Sequence, residues 1–235
     1  MAAPLHTARI HFEGRLRDFR PGPLGAAGEY RFSGRPSVKD ALEALGVPHV
    51  EMDAPLINGQ SSSLAALLRP GDDLQAFPDE RPLPSPRFVL DVHLGSLARA
   101  LRLLGFDTLY ENNYSDPQIA GIASAGGRAV LTRDVGLLKH KQVQWGYWLR
   151  SQHTELQARE VLDRYRLYDA ITPFRRCLSC NGPIAMVAEE DIHALIPLRV
   201  LGFQQEYFRC GSCGKIYWKG THYERMKAFI ERLLK

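Results

Sequence analysis

The chain has 235 residues, which is enough for one large domain or two to three small ones, and its net charge is +4. With 45% hydrophobic and 24% charged residues, its composition is that of a soluble globular protein. No run of the sequence reaches the ~20 apolar residues of a membrane span, and the N-terminus lacks the apolar core of a signal peptide. These features argue against membrane insertion and secretion, so we expect a cytoplasmic protein with no membrane partner.

The charge is unevenly distributed along the chain. Residues 1–80 carry a net charge of −3, whereas residues 81–163 carry +2 and residues 164–235 carry +5. A polyanion such as RNA would therefore prefer the last two thirds of the chain.

The first part of the chain has the pattern of a small α+β domain. Apolar and polar residues alternate over residues 8–14 and again over 29–33, which predicts two strands. Ser37 is placed to cap a helix from Val38 to Leu45. Residues 55–59, 64–68 and 74–77 predict a strand, a short helical turn and a last strand.

This order of elements resembles the β-grasp, ubiquitin-like fold, and the turns at Ile57–Gly59 and Arg69–Asp73 are similar to those of sulfur-carrier proteins. Such carriers end in a free diglycine, whereas here Phe77 continues into further chain, so carrier chemistry is not supported. We expect a domain at residues 1–78 that docks a protein partner or aids solubility. Four prolines between residues 78 and 86 predict a stiff linker, taken as residues 79–86.

Two later stretches each place an aspartate after a short apolar strand. Phe88, Val89 and Leu90 are typical of a buried strand, and Asp91 follows them. The next such strand, residues 128–132, is followed by Asp134. Ligands of α/β folds bind at the carboxyl ends of strands, so two aspartates there suggest a metal site. Strands that alternate with helices predict a mostly parallel sheet covered on both faces.

A third aspartate, Asp116, opens a predicted helix in which Pro117 takes the first helical position. Asp116 has the side chain of a natural N-cap, so helix capping alone would explain its presence. Thr132 is placed to orient Asp134 by a hydrogen bond.

Four cysteines form two pairs, Cys177 with Cys180 and Cys210 with Cys213, separated by 29 residues. Two such knuckles without a secretion signal are typical of a metal site rather than of disulfides. Four thiolates make a closed tetrahedral site and hence predict structural zinc. We expect a ribbon over residues 171–235, with strands at 184–187 and 203–208 and a closing helix from Tyr223 to Leu234.

Residues 87 to the C-terminus resemble the Mut-seven C-terminal RNase family, a branch of the PIN-domain nucleases. The resemblance lies in Phe88–Asp91, Leu94–Gly105, Arg128–Leu138 and the ribbon that ends in Tyr217–His222. It implies a PIN-like α/β fold over residues 87–170 and metal-dependent RNA cleavage, and bacterial members often carry a ubiquitin-like domain in front.

By that resemblance Asp91, Asp116 and Asp134 take the places of the family's metal ligands, for magnesium or manganese. PIN nucleases usually present a fourth acid after the next strand, but residues 149–153 contain no carboxylate. Such an ion activates water and neutralises the phosphate, whereas clustered acids without an ion repel one another.

Several cations near these aspartates are candidate contacts for the RNA backbone: Arg99, Arg102, Arg133, Lys139 and Lys141. Arg99 and Arg102 are three residues apart and are expected on one helix face. A solvated helix face is the alternative for these two. Trp145, Tyr147 and Trp148 alternate in a way that favours core packing over base stacking.

We therefore expect a cytoplasmic, magnesium- or manganese-dependent ribonuclease with structural zinc. The alternatives are an RNA- or ribosome-binding adaptor with a weakened metal site, which the missing fourth acid favours, and a PIN-type toxin that cuts one tRNA.

Overall fold

The computed structural model describes residues 4–19, 27–196 and 206–235. The chain divides into two compact units, and the division does not follow the sequence order. The first unit joins Met1–Arg81 with Thr132–Trp148, and the second joins Pro82–Leu131 with Leu149–Lys235. No helix in these described ranges is long and apolar enough to cross a membrane.

The first unit contains a five-stranded sheet in the order β2-β1-β5-β3-β4. Strand β1 pairs in parallel with β5, and the other neighbours pair antiparallel. Helix α1 (Val38–Ala44) contributes Val38, Ala41 and Leu42 to the core of this unit. This is the ubiquitin-like arrangement expected from the sequence. The strands are β1 His6–Phe12, β2 Ala27–Phe32, β3 Leu56–Ile57, β4 Gln60–Ser61 and β5 Asp73–Ala76.

The N-terminus of α1 is capped as predicted, because the Ser37 side chain accepts a hydrogen bond from the Asp40 amide at 3.1 Å. The predicted helical turn at residues 64–68 is confirmed only at its start, where the Ala66 amide donates to the Ser63 carbonyl at 3.0 Å, and no helix continues to Leu68. The carbonyls of Leu64 and Ala66 instead accept from the amides of Lys39 and Val38, each at 2.8 Å. This segment therefore supplies acceptors to the first turn of α1, whose amides have no partner within the helix.

The second unit is built on parallel strands, with β6 (Arg87–Leu90) between β7 (Asp107–Leu109) and β8 (Ala129–Thr132). Phe88, Val89 and Leu90 are fully buried, as are the three apolar residues of β8. Burial on both faces explains why these strands are continuously apolar rather than alternating.

Helices cover this sheet. Helix α2 (Gly95–Leu103) packs against α5 (Thr154–Tyr165) and β7, and α3 (Asp116–Gly126) packs against β6. Helix α4 (Val135–Leu138) and strand β9 (Gly146–Trp148) belong to the first unit.

The end of the chain forms a small antiparallel ribbon in the order β10-β11-β12, followed by helix α6. Among its described residues, Ile192, Ile196 and Tyr207 form a buried core cluster, with Val187 and Ile216 packed against them. The predicted strand at 203–208 begins outside the described residues. The bounds are β10 Ile184–Val187, β11 Tyr207–Cys210, β12 Ile216–Trp218 and α6 Thr221–Leu233.

Candidate active site and cysteine cluster

Asp91 follows β6 at the edge where the parallel strands end. Its amide donates to the carbonyl of Leu131 at 3.1 Å, which continues the pairing of β6 with β8 by one residue. Its carboxylate accepts from the Val92 amide at 2.6 Å, and the residue is half-buried. The predicted placement of Asp91 at a strand end is confirmed.

Asp134 comes two residues after β8. Its amide donates to the Thr132 hydroxyl at 2.8 Å, so the predicted hydrogen bond with Thr132 is confirmed. Its carboxylate accepts from the Gly136 amide at 2.7 Å and caps α4. One oxygen of an exposed carboxylate is thus fixed by the backbone, which orients the side chain.

Asp116 is the first residue of α3 and not its cap. Ser115 is the N-cap, and it forms a capping box with Gln118, whose side chain accepts from the Ser115 amide at 2.8 Å. The interpretation of Asp116 as the capping residue is therefore wrong, because Ser115 occupies the N-cap position. Asp116 is exposed on the first turn, beside Pro117.

The segment that carries Asp134, residues 132–148, packs within the first unit against residues of the ubiquitin-like domain. The Trp148 amide donates to the buried Glu51 carboxylate at 2.7 Å. His49 Nε2 lies 3.0 Å from the Val143 carbonyl oxygen, and Lys139 Nζ donates to the Glu43 carbonyl at 2.6 Å. These bonds hold the Asp134 segment at three points, two on its backbone and one on the Lys139 side chain.

Aromatic contacts add to these hydrogen bonds. The ring of Trp148 lies 4.7 Å from that of Phe19, and its Nε1 donates to the Arg133 carbonyl at 3.2 Å. The Arg81 guanidinium lies 4.8 Å from the Trp145 ring. Trp148 packs against the core of the first unit, as favoured for these aromatic residues over base stacking.

The predicted RNA contacts differ in their exposure. Arg99, Arg133 and Lys141 are exposed, whereas Lys139 is half-buried. Arg102 is 4% exposed, and its guanidinium donates to the carbonyls of Thr108, Leu178 and Ser179. This placement corrects the prediction for Arg102, because burial keeps its guanidinium from RNA.

The loop after β9 binds the carboxylate of a residue that the sequence analysis did not identify. Glu160 on α5 accepts from the amides of Arg150 and Ser151, at 2.9 and 2.8 Å. Residues 149–153 still contribute no acid of their own. The helical position of Glu160, nine to ten residues further along, gave no signal of this contact.

A buried network joins β7 to the first cysteine knuckle. Asp107 accepts from Arg128 at 2.8 Å and from Asn181 at 2.7 Å, and the Asn181 side chain accepts from the Thr108 amide at 2.9 Å. Burial alone would raise the pKa of Asp107, but the hydrogen bonds from Arg128 and Asn181 outweigh it and lower the pKa below its ordinary value of 3.8.

We expect the Asp107 network to be lost in acid. Because the pKa of Asp107 is lower in the folded chain, its stabilisation is present above its unfolded pKa and disappears as pH falls through the folded pKa. Between neutral pH and about pH 3, the urea midpoint should fall less for Asp107→Asn than for the wild type. Asp169→Asn, at an exposed position, should follow the wild type. An equal fall for Asp107→Asn would contradict the expectation.

The four cysteines form a cluster in which all four sulfurs lie within 4.8 Å of one another. The distance from Cys177 Sγ to Cys213 Sγ is 3.7 Å, and from Cys180 Sγ to Cys210 Sγ it is 3.4 Å. Four thiolates around zinc, each about 2.3 Å from the ion, lie about 3.8 Å apart, so the donor set and the spacing fit this metal.

The surroundings of Cys177 and Cys210 favour the thiolate form that binds metal, whereas burial and hydrogen bonds with the neighbouring thiols raise the pKa of Cys180 to about 12. Burial raises the pKa of Cys177, but the hydroxyl of Tyr217 at 3.0 Å and the amides of Cys180 and Ser179 lower it to about 6. Gly182 is required for close packing, since a Cβ there would lie 2.4 Å from Ser212 Oγ.

Within the described ranges, no other group of three or more acidic, histidine or cysteine side chains has its ligand atoms this close together. The assignment of Asp91, Asp116 and Asp134 as ligands of one ion therefore stays a prediction.

Two family models match the chain. One, described as Mut7-C RNAse domain, matches residues 86–230, and the other, described as Mut7-C ubiquitin, matches residues 5–84. Their order along the chain is the one expected from the sequence. No curated protein and no solved structure matches the chain.

Proposed function

This chain belongs to the Mut7-C RNAse domain family, and from that premise we propose that it is a metal-dependent ribonuclease of the PIN-like class. The family indicates a nuclease-like role and hence an RNA partner, while the ubiquitin-like domain suggests a protein interaction. One observation supports the assignment most. Within the segment that matches the family, the parallel strands β6 and β8 are each followed by an aspartate, Asp91 and Asp134.

In this proposal Asp91, Asp116 and Asp134 hold a magnesium or manganese ion. Such an ion supplies an activated water and neutralises charge on the phosphate. Backbone amides orient two of these aspartates, since Val92 donates to the Asp91 carboxylate and Gly136 donates to that of Asp134. Helix capping does not account for Asp116, because Ser115 caps α3.

The remaining assignments follow the same proposal. The four cysteines hold structural zinc, since a tetrad of thiolates leaves no open position for catalysis. Arg99, Arg133 and Lys141 are exposed cations that contact the RNA backbone. Residues 87–170 form the nuclease domain and residues 171–235 the ribbon, and paired CxxC motifs that hold a metal favour a reducing cytoplasm.

The test is cleavage of a mixed pool of cellular RNA by the purified protein, with manganese, with chelator, and with Asp134→Asn. We expect cleavage that needs the metal, and a loss of at least about a hundredfold in Asp134→Asn, because a metal ligand supports several kcal/mol of charge stabilisation. Asp163→Asn, a charge-matched change on α5, should retain full activity. Metal-independent cleavage, or full activity in Asp134→Asn, would refute the assignment.

A second candidate is an RNA- or ribosome-binding adaptor with a weakened metal site. It is favoured by the loop at residues 149–153, which has no acid of its own and binds the Glu160 carboxylate through two amides. This candidate predicts salt-dependent RNA binding that Asp91→Asn leaves unchanged, and no cleavage with any divalent ion.

A further inference from the structure

A cavity of about 770 Å³ lies in the second unit between α2, the ribbon and α6. Part of its wall comes from Tyr217–His222, the motif that ends the ribbon, in which only Tyr217 has been given a role at the cysteine cluster. We call this cavity the ribbon cleft.

The charged side chains of the ribbon cleft are all basic. Arg99 from α2, Lys215 from the ribbon and Arg225 from α6 line it, and its lining contains no aspartate or glutamate. All three residues are exposed. Three cations from three separate elements, without a neutralising acid among the lining residues, complement an anionic ligand with several charges.

Aromatic rings form the rest of the wall. Tyr217, Trp218, Tyr223 and Phe229 line the cleft, and Trp218 is 36% exposed. The Tyr223 ring packs against the ring of Phe174, with 4.8 Å between the ring centroids. Gly220 passes close to the indole, since a Cβ there would lie 3.2 Å from Trp218 Nε1. Proteins that bind single-stranded nucleic acid combine aromatic rings, on which the bases stack, with basic side chains that bind the backbone phosphates.

We propose that the ribbon cleft binds a single-stranded segment of the RNA substrate. Base-paired RNA presents its backbone and hides its base faces, whereas unpaired bases can enter a cleft with aromatic walls. Ser96, in the first turn of α2, also lines the cleft and is five residues beyond Asp91 in the chain. This inference rests on the proposed function and adds to it a preference for unpaired RNA.

The test uses full-length Asp134→Asn protein, in which cleavage cannot deplete the probe. Fluorescence anisotropy would measure its binding to a labelled oligouridine of about 12 nucleotides, and to a blunt RNA duplex of equal length. We expect the single strand to bind more tightly. Trp218→Ala should weaken single-strand binding about tenfold, and Trp218→Phe should restore most of it, because phenylalanine still stacks.

The basic side chains have a matched control on one helix. Arg225→Gln should weaken binding and reduce the dependence of the logarithm of affinity on the logarithm of salt by about one. Lys227→Gln removes the same charge from exposed α6 outside the cleft and should change neither. Melting temperatures of all variants establish that they are folded.

Equal binding of the single strand by Trp218→Ala and its parent would overturn the inference, as would a preference for the duplex. Displacement of the RNA by polyglutamate at equal charge concentration would overturn it in favour of an acidic polypeptide ligand. Because binding is measured without cleavage, the result for the ribbon cleft can be interpreted even if the nuclease assignment fails. An active nuclease whose RNA binding does not depend on the ribbon cleft would refute only the inference about the cleft.

Discussion

Loss of metal from the four-cysteine cluster is expected to unfold the ribbon. In the part of the ribbon that the structure describes, the apolar core cluster has three buried residues, Ile192, Ile196 and Tyr207, which is a small core for a segment of this length. A structural zinc site contributes on the order of 10 kcal/mol to the folding of a small domain. We therefore expect zinc binding to be a major contribution to the stability of the ribbon.

Cys180→Ser, or a chelator in excess, should abolish stoichiometric zinc and produce an early unfolding transition of the ribbon. The effect should extend to α2 and β7, since Arg102 and Thr108 hydrogen-bond to Ser179 and Asn181 of the first knuckle. Hydrogen exchange of the Thr108 amide would detect this. Ser179→Ala changes a side chain in the same knuckle and should keep metal and stability. An unchanged melting curve after complete zinc removal would contradict the expectation.

Glu51→Ala is expected to lower the free energy of unfolding of the first unit by about 3 kcal/mol. The Glu51 carboxylate is fully buried, pairs with the Arg15 guanidinium at 3.3 Å and accepts from the Trp148 amide at 2.7 Å. The change removes the buried carboxylate that faces the charge of Arg15, whose side chain is 20% exposed. It also removes the acceptor that ties the end of the Asp134 segment to the ubiquitin-like domain.

The second acidic partner of Arg15, Glu80, provides the matched control for this prediction. Glu80 also pairs with it, at 3.7 Å, but the Glu80 side chain is 63% exposed, so Glu80→Ala should cost less than about 1 kcal/mol. Urea unfolding would give both free energies, and hydrogen exchange should show faster exchange of the Trp148 amide only in Glu51→Ala. Similar losses in the two variants would show that burial of Glu51 does not set its contribution.

The sequence predicted those parts of the fold that rest on local patterns. The apolar runs of β6 and β8 identified two buried strands, and Ser37 identified the start of α1, because burial and capping leave a signature within a few residues. The aspartates after the two strands were found in the same way. The cysteine spacing predicted the cluster of four sulfurs directly, since each knuckle of a metal site needs its ligands at a fixed distance along the chain.

Contacts between distant segments could not be predicted in this way. Arg102 occupies a helical position that suits a polar face, yet its guanidinium reaches carbonyls 76 and 77 residues away. The bond from Trp148 to Glu51 spans 97 residues. A side chain that satisfies a remote backbone group leaves no periodicity in the sequence. For Asp116 the error was local: Ser115 and Asp116 are both capping residue types, and the capping box with Gln118 decided between them.

The packing of the Asp134 segment limits how chains of this kind can be cut and recombined. The proline-rich linker suggests two modules that can be exchanged, but the three hydrogen bonds that involve His49, Glu51 and Lys139 cross that division. A ubiquitin-like domain grafted from another protein would have to supply the same donor at His49, the same acceptors at Glu51 and Glu43, and the same surface for Trp148. The two regions should therefore be inherited as a pair, with substitutions around Glu51 accompanied by compensating ones in the segment that bears Asp134.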